Sequence, residues 1–131
     1  MSALTLKEFQ DQVSELLLRH RSLLDVLSKF QQTGAAVNRA VVKSITECGC
    51  IELNATKQGY SPEMTLEEAK NVLDSHVNGQ LCEHCREVVS AEIGRNLFYM
   101  SALGNLLKLD LQETVEDESK KCTTLGLFTL S

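Results

Sequence analysis

The chain has 131 residues, 43% hydrophobic and 24% charged, with a formal net charge of −5. That is the size and balance of one globular domain, read as a single unit over 1–131, whose core needs no disulfide staples. An acidic chain without a basic cluster argues against nucleic acid as a partner, and no uninterrupted apolar run approaches a membrane span.

Pro occurs once and Gly seven times, which favours helix throughout. Residues 1–9 lack a basic region followed by an apolar run, so no signal peptide is read and the cytoplasm is the expected compartment. The five cysteines are then expected to be reduced, as metal ligands or buried thiols.

Thr5 is the expected N-cap of a first helix. Phe9, Val13, Leu16, Leu17, His20, Leu24, Leu27 and Phe30 recur at three and four residues, which predicts one buried stripe running to Gln31-Gln32-Thr33-Gly34. There the helix is expected to break, with Thr33 capping the next. That second helix is expected to carry Val37, Val41, Ile45, Cys48 and Glu52 on one face and to end near Gly59. Tyr60-Ser61-Pro62 reads as a loop. Thr65 with Glu68 reads as a capping box opening a short helix through Val72 and Leu73. Val77-Asn78-Gly79-Gln80 reads as a turn.

A fourth helix is expected to include Val89 to Leu107, with Cys82-Glu83-His84-Cys85 either its first turn or a separate loop. Asp110 with Glu113 marks another capped start, of a helix running to about Cys122. The tail from 123 to 131 either docks or stays loose. The expected fold is all-α, a bundle of about five helices. Exposed apolar stripes predict that it is completed by homo-oligomerisation, as a dimer or tetramer.

Two segments carry a family resemblance. Thr46-Glu47-Cys48-Gly49-Cys50 is similar to a Glu-Glu-x-Gly-Glu motif, and Glu92-Ile93-Gly94-Arg95 to Glu-x-Gly-Asp. The run from Ala91 to Glu113 has one carboxylate inside an amphipathic helix that ends at Leu109-Asp110, where another begins. In this the chain resembles the MazG-like all-α nucleoside triphosphate pyrophosphohydrolases. The resemblance implies a MazG-like helical bundle in which Glu47 faces Glu92 across two helices. It implies that both hold Mg²⁺, as catalytic residues, and that Arg95, Asn96 and Lys108 contact the phosphate or base of a bound nucleotide. Magnesium takes oxygen ligands in near-octahedral geometry and orients water for attack. The chain departs from the family at two ligand positions. Cys50 and Arg95 stand where carboxylates are expected, and a guanidinium cannot bind a cation. Arg95 can instead pair with Glu92 three residues away.

The cysteines point elsewhere. Cys48-x-Cys50 and Cys82-x-x-Cys85 supply four thiolates, suited to tetrahedral zinc or an iron–sulfur centre if the two motifs meet, with His84 as a spare ligand. On a continuous helix, residues two apart point in nearly opposite directions, so both Cys48 and Cys50 can serve only if Gly49 interrupts the helix. Distance adds a conflict. Were Glu47 to face Glu92, Cys82 would lie about 15 Å further along its helix, and the cluster would close only through a folded-back loop or across a dimer. Without that closure Cys48 is a small core residue and Cys82 to Cys85 an ordinary helix start. Cys122 is expected to be a buried or free thiol. His20 and His76 are expected to be structural.

The functional expectation is a degenerate MazG-like protein, binding nucleotide or metal with weak or no pyrophosphohydrolase activity. The alternatives are an active magnesium-dependent pyrophosphohydrolase and a non-enzymatic helical interaction module stabilised by zinc.

Overall fold

Thr5 begins the first helix as its chemistry predicts. Its Oγ1 accepts the amide of Glu8 at 3.1 Å and so satisfies one of the orphan donors of the first turn. The computed structural model describes residues 3–17 and 22–125. In chain order these form α1 (Leu6–Leu16), α2 (Leu23–Lys43), a π-helical turn (Ser44–Cys48), β1 (Ile51–Leu53), α3 (Leu66–Val72), β2 (Val77–Gly79), α4 (Glu83–Leu106) and α5 (Leu111–Leu125). The chain is predominantly helical, as expected, and carries one small antiparallel sheet besides. No helix among the described residues is long and apolar enough to cross a membrane.

The break between the first two helices falls earlier than the sequence suggests. α1 ends at Leu16, and Gln31-Gln32-Thr33-Gly34 lies in the middle of α2. Local polarity is overridden there by hydrogen bonding. Thr33 Oγ1 donates back to the carbonyl of Lys29 at 2.8 Å, as a helical Thr can, and accepts from Asn96 Nδ2 at 3.1 Å. Gln31 and Gln32 simply face solvent. His20, placed on the apolar stripe by its spacing, lies outside the described residues.

α2 packs chiefly on α4, and α1 packs on α4 and the start of α5. The core is small: Val13, Leu17, Val26 and Ala102, walled by Phe9, Phe98, Tyr99 and Leu103. A buried amide locks its lower end. Gln10 Nε2 donates to Asn105 Oδ1 (3.2 Å) and to the carbonyl of Leu109 (3.0 Å), while its Oε1 accepts the amide of Leu111 (2.8 Å). Asn105 Nδ2 returns a bond to the Gln10 carbonyl at 2.8 Å. This network fixes α1 against the turn between α4 and α5. Asp110 then caps α5 as expected, accepting the Gln112 amide at 2.9 Å. Beyond Glu113 the α5 residues whose exposure is described, through Thr124, are all exposed. The expected tail therefore begins inside α5, and its part from 126 to 131 lies outside the described residues.

The second helix does not reach Gly59. It widens into the π-turn and stops at Gly49, whose φ of 80° is the left-handed conformation that glycine adopts without strain. Glu52 therefore sits on β1, and the predicted helical face through Cys48 and Glu52 does not form. The segment read as a turn at Val77-Asn78-Gly79 is β2. It pairs with β1 in the register Ile51↔Gly79, Glu52↔Asn78 and Leu53↔Val77. Gly79 has a φ of 89°, and a Cβ there would meet the Cys50 carbonyl at 2.6 Å, so only glycine lets the strands close at this point.

Residues 54–76 form an arm that leaves and rejoins the bundle through this hairpin. Thr65 caps its helix α3, accepting the Glu68 amide at 3.1 Å, as the capping-box reading requires. Gln58 spans the arm by bonding both backbone groups of Asp74, at 2.8 and 3.0 Å. Among the described residues α3 makes no substantial packing with the long helices.

Candidate metal centre

Two local devices aim four sulfurs at one point. The first is the interrupted helix. The π-turn offsets the backbone by one residue relative to an α-helix, a distortion often found at functional sites. Gly49 then reverses the chain, its amide bonded to the Ser44 carbonyl at 2.9 Å. Cys48 and Cys50 thus come to one side. Cys50 Sγ also points at the Ser44 carbonyl, 3.8 Å away.

The second device is the start of α4. Cys82 is its N-cap, and its Sγ accepts the amide of Cys85 at 3.4 Å. Cys85, one turn on, faces the same way. The hairpin joins the two devices, because β1 begins immediately after Cys50 and β2 ends three residues before Cys82.

The result is that the sulfurs of Cys48, Cys50, Cys82 and Cys85 all lie within 4.8 Å of one another. Cys48 Sγ and Cys82 Sγ are 3.8 Å apart. This is far beyond a disulfide bond of about 2.05 Å. It equals the edge of a tetrahedron with metal–sulfur arms of about 2.3 Å, which is roughly 3.8 Å. Cys85 is buried, Cys50 and Cys82 are half-buried, and Cys48 is exposed. Four soft thiolates around a single point suit zinc or a lone iron rather than magnesium. They stand too close together to anchor the separate irons of a cluster. Cys122 is an exposed free thiol on α5, apart from this group.

The thiols differ in acidity. Cys82 is lowered to about 7 by the Cys85 amide that donates to it, helped by the Cys85 thiol. Cys85 is pushed up to about 12 by burial, and further by the sulfurs of Cys82 and Cys48. A helix N-terminus favours a thiolate and a buried site disfavours one.

The residues implied by the family resemblance are spread along the molecule. Thr33 bonds to Asn96 and Cys48 touches Cys82, so α2 and α4 run antiparallel, and a step forward on one is a step back on the other. Glu47 therefore lies opposite the first turn of α4. It lines a cavity of about 290 Å³ with Lys43, Ser44, Cys48, His84 and Cys85. Glu92 lies eight residues beyond His84, about 12 Å along the helix. The expectation that Glu47 faces Glu92 is corrected by this register. The same register brings the two cysteine motifs together within one chain, with Cys82 to Cys85 as a helix start and no folded-back loop.

Glu92 is bound by Arg95, whose guanidinium nitrogen contacts both carboxylate oxygens at 3.1 Å. Asn96 spends its donor group on α2, on the Phe30 carbonyl and on Thr33, both at 3.1 Å. Lys108 sits in the turn after α4 with a φ of 59°. It borders a separate cavity of about 210 Å³ with Lys7, Asp11 and Asp110. Arg95 borders a third, of about 380 Å³, with Lys29, Gln32 and Tyr99. Among the described residues, Lys108 and Arg95 thus border different cavities while Asn96 is bonded to α2.

Sequence reasoning missed the π-turn, the hairpin and the placement of Lys43 beside the cysteines, where His84 had been expected as a spare ligand. Gly49 between two cysteines was the one signal for the turn. Nothing local signalled the rest. Compared with known protein families, with curated proteins and with solved structures, the chain matches none.

Proposed function

We propose that the protein is a helical interaction module fastened by one structural zinc ion, without pyrophosphohydrolase activity. The observation that carries this reading is the convergence of four cysteine sulfurs within 4.8 Å. Cys48, Cys50, Cys82 and Cys85 would hold the ion. A full set of four protein thiolates leaves no open position for substrate or water, which is the pattern of structural rather than catalytic zinc.

Its task follows from where the ligands sit. One pair ends the α2 side of the arm and the other begins α4, so an ion held by both pairs closes the chain between Cys50 and Cys82. Cross-linking a loop of that length is worth roughly 3–4 kcal/mol in chain entropy. That is a large share of the stability of a small domain. The arm, which scarcely packs on the bundle, is then fixed at its root by the metal.

The degenerate-pyrophosphohydrolase expectation enters here as metal binding without nucleotide turnover. The separation of Glu47 from Glu92 and the pairing of Glu92 with Arg95 support that choice. The test is elemental analysis of the purified chain beside a nucleotide panel with magnesium. One zinc per chain, lost in Cys82→Ser, and no pyrophosphate release is the expected result. Magnesium-dependent pyrophosphate release that disappears in Glu92→Ala would overturn it.

A further inference from the structure

Of the four converging cysteines, Cys48 is the exposed one; Cys85 is buried, and Cys50 and Cys82 are half-buried. Cys48 also borders the cavity of about 290 Å³ at its end of the α2–α4 pair. That is many times the roughly 30 Å³ that a water molecule takes up in the liquid. A small polar reagent therefore reaches this sulfur first.

The same sulfur has a partner and room to meet it. Cys82 Sγ lies 3.8 Å away, so a disulfide of about 2.05 Å needs an approach of roughly 1.8 Å. Gly49 follows Cys48 in the left-handed conformation, and a Cβ built on it would meet nothing within 4 Å. The turn that carries Cys48 is thus free of packing on that side. The other two sulfurs are held. Cys50 lies under the hairpin, its carbonyl packed against Gly79, and Cys85 is buried in the first turn of α4.

We propose that the metal centre is a peroxide-responsive switch, in which Cys48 is oxidised, Cys82 captures it as a disulfide, and the zinc ion is discharged. The proposal rests on the structural-zinc reading above. In the first step the Cys48 thiolate attacks one oxygen of hydrogen peroxide. An S–O bond forms, the O–O bond breaks, and the departing hydroxide takes a proton from solvent to become water. Cys48 is then a sulfenic acid, the reversible first stage of thiol oxidation. In the second step the Cys82 thiolate attacks the Cys48 sulfur. The S–S bond forms, the S–O bond breaks, and a second hydroxide leaves as water with another solvent proton. Each sulfur gives up one electron, and the two electrons reduce one peroxide to two waters. Cys50 and Cys85 alone remain for the ion, too few for a closed tetrahedral site.

The new bond replaces the closure that is lost. Residues 48 and 82 bracket the arm as the ion does, so the oxidised chain keeps the arm's root shut without metal. Loss of zinc by chelation frees that root, and loss by oxidation does not. The ion is given up without opening the domain, and a thiol reductant restores the site.

The test treats the zinc-loaded full chain with hydrogen peroxide. Zinc release is followed with a weak chromophoric chelator, and disulfides are mapped in unreduced peptides. The expected result is loss of the one zinc per chain, a Cys48–Cys82 linkage, and recovered zinc binding after dithiothreitol. The oxidised, metal-free chain should resist trypsin at Lys57 and Lys70 as the zinc form does. Cys48→His keeps a fourth zinc ligand without the reactive sulfur, and its release should be about tenfold slower or more. If that variant does not fold, the wild-type peptide map decides alone. Cys122→Ser, exposed on α5 apart from the centre, should release zinc at the wild-type rate. A zinc-loaded chain that keeps its ion and its thiols in peroxide overturns the switch and leaves the structural zinc standing. So does a linkage between any other pair, undiminished release from Cys48→His, or release that depends on Cys122. A chain that purifies without zinc overturns both.

Discussion

Cys48 and Cys82 lie 34 positions apart in sequence and 3.8 Å apart at their sulfurs. The approach requires the π-turn, the left-handed Gly49, the hairpin and the antiparallel register of α2 against α4 to agree. A spacing that fits a shared ion, reached through four separate features, is more specific than either cysteine motif.

Removing the metal should free the arm before it disturbs the bundle. Trypsin can cut the arm at Lys57 and Lys70, both exposed. With zinc bound, cleavage there should be at least tenfold slower than in strong chelator, while sites in α2 and α4 stay protected in both. Equal cleavage rates at Lys57 and Lys70 with and without metal would show that the ion does not hold the arm's root.

Zinc affinity should rise with pH, in two regimes. Binding expels the protons of the ligand thiols. Cys82, lowered to about 7, loses its proton to solvent near neutrality, so it adds to the slope below that pH and not above it. Cys85, pushed up to about 12, keeps its proton in the metal-free chain and adds to the slope throughout. The apparent affinity should therefore climb more steeply from pH 6 to 7 than from pH 8 to 9, when followed by competition with a chromophoric chelator. A flat profile would be incompatible with thiolate ligation.

Gln10→Ala should be among the most damaging single changes outside the metal centre. Gln10 is 3% exposed, and its side chain satisfies the Leu111 amide and the Leu109 carbonyl. Its loss leaves both without that partner and opens a cavity. The expected cost is about 3 kcal/mol in denaturant unfolding. A cost below about 1 kcal/mol would mean that water replaces the amide without strain.

Ser101→Ala should have the opposite sign. Ser101 is 1% exposed on α4 and its hydroxyl has no hydrogen-bond partner among the described residues. Alanine removes the buried hydroxyl and is the better helix former. A gain of about 1 kcal/mol is expected, read as a higher melting temperature. Destabilisation would reveal a bond to the hydroxyl in solution.

The sequence by itself determined what depends on neighbours three or four residues apart. The caps at Thr5, Thr65 and Asp110 were legible because each side chain bonds an amide two or three positions on. The four candidate thiolates were legible because their chemistry is written in residue type, and Gly49 was the evident place for a helix to stop. Tertiary structure decided the rest. Thr33 read as a break until Asn96 and its own helix carbonyl satisfied its hydroxyl. Val77 to Gly79 read as a turn until Ile51 to Leu53 paired with it. Above all, the sequence offered two incompatible alignments of α2 and α4, one bringing carboxylates together and one bringing cysteines together. Hydrogen bonds and packing between distant segments select the second, and no local pattern contains that register.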